Sequence, residues 1–214
     1  MTRIAVFDLD GTLVDSVPNI QAALNRLMAG LGRPGFDRAE AMGMIGDGVR
    51  VLVTRALTAR GLTFEEAALA RFEADYTAHA AGLTAPFPGI ETMLTELTAE
   101  GWLLALCTNK PMAATRALLA GLGWQDRFAA IAGGDSFPSR KPDPAHLTAT
   151  LGLLPAGRAV MIGDHRNDIA AAQGAGVPGV FVGWGYGAAG MAAGASAIAE
   201  TQAALPAILR HLIG

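Results

Sequence analysis

Two aspartates close the first apolar segment of the chain. Residues Ile4–Phe7 are apolar, and Asp8-Leu9-Asp10-Gly11-Thr12 follows them. Residues i and i+2 of an extended chain point to the same side, so Asp8 and Asp10 can face one point at the end of a strand. Two carboxylates there repel each other unless a cation lies between them, and Mg²⁺ prefers such oxygen ligands. The pair predicts a metal site, with a plain acidic turn as the alternative.

A second polar cluster, Thr108-Asn109-Lys110-Pro111, follows the apolar segment Trp102–Cys107. Pro111 suits the first turn of a helix, where free N–H groups and the helix dipole favour an anion. Thr108 and Asn109 are therefore candidates for binding an anion such as phosphate. A simple helix cap is the alternative.

Two later clusters supply a lysine and two more carboxylates. Pro142 keeps Lys141 out of a helix, so its ammonium could neutralise a phosphate or a carboxylate cluster, although most lysines are simply solvated. Asp164 follows the apolar segment Ala159–Ile162 and could complete the metal site. Asp168 lies one helical turn further on, where it could cap a helix or hold Lys141 by charge.

Strands and helices alternate after residue 86, which indicates a parallel sheet covered by helices on both faces. Periodicity and turn residues predict helices at Ile90–Glu100, Pro111–Gly121, from Pro144, at Asn167–Ala175 and at Ala203–Leu212, and further strands at Ala129–Ala132 and Gly179–Val182. Residues 17–81 carry only helical patterns. We therefore expect an α/β fold. Residues 1–15 and 86–214 would form a Rossmann-like parallel sheet core, and residues 16–85 an inserted all-helical cap. A single continuous domain is the alternative.

Composition limits the class of protein. The 214 residues are 51% hydrophobic with a mean hydropathy of +0.35, which is typical of a globular chain. No apolar run reaches the roughly 20 residues that span a bilayer, and no signal-peptide pattern precedes Asp8. The net charge of −3 gives no reason to expect nucleic acid, and the single cysteine, Cys107, can form no intrachain disulfide. We expect a cytoplasmic monomer or homodimer in which Cys107 is a buried apolar residue.

All four polar clusters follow strands of the expected sheet, or the loop beyond one, and so lie at one edge of it. Three carboxylates, a hydroxyl with helix-end amides and a lysine suit a phosphoryl group, whose charge must be neutralised during displacement. Gly185-Tyr186-Gly187-Ala188-Ala189-Gly190 matches a dinucleotide-binding pattern. The acid that this pattern needs about 20 residues later is missing, because Glu200 lies too close. No nucleotide P-loop occurs.

As a set, Asp8-Leu9-Asp10-Gly11-Thr12, Thr108-Asn109, Lys141-Pro142 and Gly163-Asp164 with Asp168 resemble the four signature motifs of the haloacid dehalogenase-like hydrolases. The helical insertion is similar to the cap of the phosphoglycolate phosphatase-like group, as are Gly46-Asp47-Gly48-Val49-Arg50 and Trp184-Gly185-Tyr186-Gly187. The resemblance covers the whole chain. It implies a Mg²⁺-dependent phosphomonoester phosphatase that acts on a small phosphorylated metabolite, above all 2-phosphoglycolate.

The resemblance also implies a mechanism. Asp8 would attack phosphorus and become an aspartyl-phosphate, and Asp10 would protonate the leaving alkoxide and then activate water. Mg²⁺ would be held by the Asp8 carboxylate, the Asp10 backbone carbonyl and Asp164, and would bridge to the phosphate.

Four further residues would support these steps. Thr108 would hold phosphate oxygens with the help of Asn109. Lys141 would offset negative charge on Asp8 and on the phosphoryl group. Asp168 would orient Lys141 or a metal-bound water.

Within the cap, Gly48 belongs to the loop Gly46–Gly48 that we expect to meet the substrate, and Arg50 is a candidate partner for the substrate's carboxylate. The family usually has Ser or Thr after the aspartate of its last motif, whereas this chain has His165, whose ring we expect to pack outward. Closure of the cap over the core would set the substrate, and the departure at His165, a core residue, bears on the exact substrate but not on the class of reaction.

Other functions of the same fold remain open. A sugar-phosphate mutase similar to β-phosphoglucomutase would need a cap group that keeps water from the phosphorylated intermediate. The histidine of the cap, His79, shows no sign of that role. A pyrophosphatase or a phosphatase of another small metabolite is a further alternative. Asp10 disfavours a dehalogenase, and the presence of both Asp8 and Asp10 disfavours a non-enzymatic phosphate-binding module.

Overall fold

The computed structural model describes residues 1–214 and contains one large sheet, one small two-stranded antiparallel sheet and nine α-helices. The strands are β1 (Thr2–Phe7), β2 (Val14–Asp15), β3 (Ala85–Pro86), β4 (Trp102–Cys107), β5 (Ala130–Ala132), β6 (Gly157–Gly163), β7 (Gly179–Val182) and β8 (Ala197–Ala199). The helices are α1 (Val17–Gly30), α2 (Arg38–Met42), α3 (Val49–Ala59), α4 (Glu66–Ala78), α5 (Ile90–Ala99), α6 (Met112–Leu122), α7 (Pro144–Leu151), α8 (Arg166–Gly174) and α9 (Leu205–Ile213). Two 3₁₀ turns lie at Ala189–Ala192 and Gln202–Ala204.

The six-stranded sheet is parallel throughout and has the order β5-β4-β1-β6-β7-β8. Its inner strands β1, β4 and β7 are buried on both faces over most of their length, as a parallel sheet requires. Successive residues of β1 belong to different apolar clusters: Phe7 packs in one with α5, α6 and α9, and Val6 in another with α7 and α8. This alternation confirms the expected α/β core.

The order of the strands determines where the polar clusters meet. The chain builds outward from β1 to β4 and β5, then returns to the other side of β1 with β6, β7 and β8. Strand β1 is therefore a switch point, where open α/β sheets bind ligands at the carboxyl edge. Phe7 pairs with Leu106 of β4 and with Ile162 of β6, so Asp8 lies between the residues that follow those two strands.

Helices α1–α4 form the inserted cap around an apolar cluster of 16 buried residues, of which Ala114 alone comes from outside residues 17–81. The chain enters and leaves the cap through the two-stranded antiparallel sheet, in which Val14 pairs with Pro86 and Asp15 with Ala85. The predicted absence of strands in residues 17–81 is confirmed. The domain boundaries at residues 15/16 and 85/86 stay a prediction.

Most predicted elements agree with the structure to within a residue or two. The strand β6 begins two residues before the predicted Ala159, and α9 begins at Leu205 because a 3₁₀ turn occupies Gln202–Ala204. Strand β8 was not predicted, because three residues of an alanine-rich stretch carry no readable periodicity. No helix is both long and apolar enough to cross a membrane.

Candidate active site

Lys141 lies between two carboxylates at the carboxyl edge of the sheet. Its Nζ is 3.0 Å from Asp8 Oδ1 and 2.6 Å from Asp168 Oδ1, and only 1% of its side chain is exposed. Burial opposes the charge of the ammonium, but the carboxylates of Asp168 and Asp8 outweigh burial and raise the pKa of Lys141. Lys141 therefore stays protonated and balances part of the negative charge around Asp8.

The negative charge of three clustered carboxylates exceeds the single positive charge of Lys141. Oxygens of Asp8, Asp164 and Asp168 all lie within 4.8 Å of one another. Burial, together with the charges of Asp8 and Asp168, raises the pKa of Asp164 to about 7. Burial also raises the pKa of Asp168 to about 6 in spite of its ion pair with Lys141. Such strongly perturbed acids in one cluster are typical of functional sites.

The cluster fits a divalent cation. Asp8 Oδ1 is buried and accepts no hydrogen bond, since its pair with Lys141 is ionic and poorly aligned. Three carboxylates with one unpartnered oxygen form a set of hard oxygen donors. Bringing a cation among them would relieve the repulsion that raises the pKa of Asp164.

Asp164 is held in place from two sides. Thr12 Oγ1 donates to its Oδ1 at 3.0 Å, and the backbone N–H of Tyr186 donates to its Oδ2 at 2.8 Å. Gly187 packs so closely here that a Cβ would lie 1.8 Å from the Asp164 carbonyl oxygen. Gly185 and Gly187 of the dinucleotide-like pattern thus pack closely against Asp164, which explains them without a nucleotide, whereas a Cβ at Gly190 would meet no atom within 4 Å.

Thr108 and Asn109 lie where expected, between β4 and α6. Thr108 is buried, and its backbone N–H donates to Ala132 O at 3.0 Å. Asn109 Nδ2 donates to Lys141 O at 2.8 Å and to Gly46 O at 3.0 Å, while its Oδ1 has no partner. Asn109 therefore links the lysine loop of the core to the cap.

A second asparagine, Asn167, binds the same cap loop from the start of α8. Its Nδ2 donates to Gly46 O at 3.3 Å and to Asp47 Oδ1 at 2.8 Å. Gly46 has φ 118°, and a Cβ there would lie 2.9 Å from His165 Nε2. The loop thus needs glycine at this position, and two amides of the core hold its carbonyl.

The outward packing expected for His165 is not observed. Its Nδ1 accepts from the Asn167 backbone N–H at 3.3 Å and so caps α8, and its Nε2 faces Gly46. Burial lowers the pKa of His165, which favours the neutral imidazole that capping needs. The sequence did not indicate this contact, because it depends on how the cap loop sits on the core.

Arg50 does not line the cavity that contains Asp8. Gly48 lines this cavity, but Arg50 points out of it and binds Glu66 at 2.6 and 3.0 Å. Arg50 is one position beyond Val49, which does line the cavity, and a one-residue step turns a helical side chain by more than a quarter turn. The role of Arg50 as a substrate ligand stays a prediction that this placement does not support.

The cavity that contains Asp8 has a polar floor and an apolar roof. Core residues form the floor, whereas the cap supplies most of the roof through Ile20, Ile45, Val49, Leu52 and Phe72. Two polar residues in this cavity were not singled out from the sequence, Lys110 and Tyr76. Lys110 Nζ lies 3.1 and 3.2 Å from the two Asp10 oxygens and also donates to Tyr76 Oη. Its position directly after Asn109 was the one available signal.

Comparison with known proteins identifies the family. A model of the family "haloacid dehalogenase-like hydrolase" matches residues 2–176. The chain belongs to the haloacid dehalogenase-like hydrolases.

Relatives of this hydrolase in several bacteria are called phosphoglycolate phosphatase. The protein of that name from Cereibacter sphaeroides (strain ATCC 17025) is 47% identical over 180 residues, which cover 80% of this chain and 81% of the relative. The plasmid-encoded protein of Cupriavidus necator (strain H16) is 41% identical over 211 residues, covering 95% and 91%.

Solved structures support the same family. A protein of Haemophilus somnus described as a predicted phosphoglycolate phosphatase superposes with a TM-score of 0.88 at 29% identity, covering 97% of both chains. CbbY from Rhodobacter sphaeroides, solved in complex with phosphate, superposes with a TM-score of 0.80 at 27% identity, covering 96% of both chains. The haloacid dehalogenase-like fold described above, cap included, is thus shared over nearly the whole chain.

Proposed function

We propose that this hydrolase is a Mg²⁺-dependent phosphomonoester phosphatase that converts 2-phosphoglycolate to glycolate and phosphate. The observation that carries the proposal is the position of Asp8. Its carboxylate lies at the switch point of the sheet, 3.0 Å from a buried lysine and among two further carboxylates. A nucleophilic carboxylate needs such charge compensation to approach a phosphoryl group that is itself negative.

The first step forms a bond between an Asp8 oxygen and phosphorus and breaks the bond from phosphorus to the leaving oxygen. That oxygen takes a proton from the Asp10 carboxyl group. In the second step Asp10 takes a proton from water, whose oxygen bonds to phosphorus while the bond to Asp8 breaks. Asp10 is thereby protonated again, and Asp8 is free for the next turnover.

Four more residues prepare the site. Lys141 offsets charge on Asp8, and Asp168 orients Lys141 through their 2.6 Å ion pair. Thr108 binds phosphate oxygens through its hydroxyl, beside the backbone N–H of Asn109, whereas the N–H groups of Thr108, Lys110 and Met112 already have partners. Asn109 assists from the same turn by holding the lysine loop, since its Nδ2 donates to Lys141 O at 2.8 Å.

Asp8, Asp164 and the Asp10 backbone carbonyl would hold Mg²⁺. When bound, the ion would neutralise charge on the phosphoryl oxygens. The all-oxygen donor set favours a hard divalent cation, of which Mg²⁺ is the one that we propose.

Two observations support 2-phosphoglycolate as the substrate, namely the cap over the cavity and the names of the relatives. The apolar roof of the cap lies over the cavity and limits the size of the leaving group that can reach Asp8, while one water molecule must still enter for the second step. Relatives at 41–48% identity carry the name phosphoglycolate phosphatase. The cytoplasmic location and the oligomeric state of this chain stay predictions.

A screen of phosphate release from small phosphomonoesters with Mg²⁺ tests the proposal. A clear preference for 2-phosphoglycolate is the expected result, and broad weak activity would contradict the substrate assignment. Steady mutase turnover with a bisphosphate primer would favour the alternative. His79 does not support that alternative, since its side chain is 56% exposed and its Nδ1 is hydrogen-bonded to Asp75 O at the end of α4.

A further inference from the structure

The chain contains only two lysines among its 16 basic residues, and both are buried at the same site. Lys141 is paired with Asp8 and Asp168. Lys110 has no such role in the mechanism above, yet only 1% of its side chain is exposed. Burying an ammonium is costly unless its partners are well placed, so the groups that contact Lys110 indicate why it is buried.

Lys110 is held by two groups, one from each side of the cavity. On the core side, its Nζ lies 3.1 and 3.2 Å from the two oxygens of Asp10. On the cap side, it donates to the hydroxyl of Tyr76 and lies 4.4 Å from the centre of that ring. The ammonium thus joins the proposed proton donor to helix α4 of the cap.

Tyr76 is a firm anchor for the ammonium. Its ring is buried and stacks on Phe72 with centroids 5.4 Å apart. Burial, with the nearby charge of Asp10, raises the pKa of Tyr76, so its oxygen belongs to a neutral phenol and can accept from the ammonium. The cap therefore fixes Lys110, and Lys110 in turn fixes Asp10.

We propose that Lys110 is a positioning residue that holds the Asp10 carboxyl group towards the leaving oxygen, and that Tyr76 makes this position depend on a seated cap. The inference rests on the proposed phosphatase function. Asp10 has two rotatable side-chain bonds and 14% of its side chain is exposed, so without Lys110 it can turn away from the leaving group. Proton transfer to the alkoxide would then lose its preorganised geometry.

The test compares two esters of nearly equal shape. Ethyl phosphate leaves as an alkoxide, which needs the Asp10 proton, whereas acetyl phosphate leaves as a carboxylate, which does not. In the Lys110→Met variant, kcat/KM should fall by about 100-fold on ethyl phosphate and on 2-phosphoglycolate, the range in which general acid catalysis contributes. This quantity reports the first step and not the hydrolysis of the aspartyl-phosphate, which all three substrates share. The loss on acetyl phosphate should be at least about tenfold smaller.

Two other patterns would overturn the inference. Equal losses on all three substrates would assign Lys110 to phosphate binding or to folding alone. A loss confined to 2-phosphoglycolate would assign Lys110 to the substrate's carboxylate. If the unmodified protein hydrolyses none of these esters, the proposed function itself fails, and the inference with it.

A double-mutant cycle tests whether Lys110 acts through Asp10. In an Asp10→Asn background, Lys110→Met should cause no further loss on 2-phosphoglycolate, because residues that act as a unit are not additive. A second full loss would show that Lys110 acts independently, against the inference.

The cap contact has its own matched pair of variants. Tyr76→Phe removes one hydroxyl and keeps the ring, and it should lower kcat/KM on ethyl phosphate more than on acetyl phosphate. Tyr186→Phe removes another hydroxyl, which lies 2.7 Å from the Ser16 backbone N at the entry to the cap and does not contact Asp10. Its effect should be the same on both esters. If the loss on ethyl phosphate relative to that on acetyl phosphate is the same in both variants, the role of Tyr76 is contradicted.

A readout independent of activity is available because there are only two lysines. Protein labelled with ¹⁵N-lysine should give two side-chain ammonium signals, and Lys110→Met removes one of them. Asp10→Asn and Tyr76→Phe should each move the Lys110 signal and leave that of Lys141 in place. An unmoved Lys110 signal in both variants would contradict the contacts on which the inference depends.

Discussion

Lys141 and Asp168 form an ion pair in which both side chains are only 1% exposed, with 2.6 Å between Nζ and Oδ1. The same ammonium is the cation nearest to Asp8. A buried ion pair costs more to break than a surface pair, because removal of one partner leaves an uncompensated charge away from water. It therefore couples the stability of the fold to the charge at the catalytic edge.

Replacing Lys141 by Met should destabilise the protein, because it leaves three buried carboxylates without their cation. We expect the free energy of unfolding to fall by about 3 kcal/mol or more near pH 8, as for other broken buried pairs. The loss should be smaller near pH 5, where Asp164 and Asp168 can be protonated instead, since their pKa values are raised to about 7 and about 6. Urea denaturation at the two pH values measures both.

The control for Lys141 is an exposed ion pair. Arg26 lies 2.6 Å from Asp75, and 43% of its side chain is exposed. Arg26→Met should cost less than about 1 kcal/mol at either pH. A Lys141→Met variant as stable as Arg26→Met would contradict the importance of the buried pair.

Metal binding should depend on pH through Asp164. Its pKa rises from 3.8 to about 7 on folding, so the metal-free folded state binds a proton that the unfolded chain has released. The stability of the metal-free protein should therefore fall as pH rises from 4 to 7. A divalent cation competes with that proton, so the stabilisation by Mg²⁺ should be larger at pH 8 than at pH 5.

Thermal unfolding with EDTA or with excess Mg²⁺ at the two pH values checks this prediction. EDTA should also stop phosphate release, and added Mg²⁺ should restore it. The same Mg²⁺-induced shift of Tm at both pH values would argue against Asp164 as a ligand.

The strand-end residues were predictable from the sequence, whereas the contacts across the cap were not. Asp8, Thr108 and Asp164 each follow an apolar strand, and parallel strands bring such positions to one edge. Lys110 and Tyr76 lie 34 positions apart in different layers, and their contact depends on how the cap docks. For Arg50, periodicity predicts the helix but not which of its sides faces the cavity, and a neighbouring residue, Val49, faces it.

Asn167 should control how firmly the cap closes. Its amide binds Gly46 O and Asp47 Oδ1, and it lies outside the reacting groups. Asn167→Ala should raise KM for 2-phosphoglycolate by about fivefold to tenfold, the effect of losing one or two hydrogen bonds that favour the closed state. Steady-state kinetics measures KM and kcat separately.

Gln173→Ala on the same helix is the matched control for Asn167. Gln173 is exposed and donates to Gly194 O at 3.0 Å, away from the cap. Its replacement should leave KM unchanged. An unchanged KM in Asn167→Ala as well would remove the cap loop from the account of substrate binding.

Arg50→Ala should retain the activity of the unmodified protein, since the Arg50 guanidinium binds Glu66 outside the cavity. We expect kcat/KM for 2-phosphoglycolate to change by less than about threefold, because an exposed ion pair contributes little. A loss of two orders of magnitude would mean that Arg50 reaches the substrate in a conformation other than this one.

In the proposed mechanism, the Asp8 carboxylate carries the phosphoryl group during turnover. Rapid acid quenching of the protein with 2-phosphoglycolate and Mg²⁺, followed by mass spectrometry of the N-terminal peptide, measures this directly. The peptide should gain the mass of one phosphoryl group at Asp8, and Asp8→Asn should fold normally while showing neither the adduct nor phosphate release. Undiminished turnover by Asp8→Asn, or a phosphoryl group found on another residue, would contradict the account.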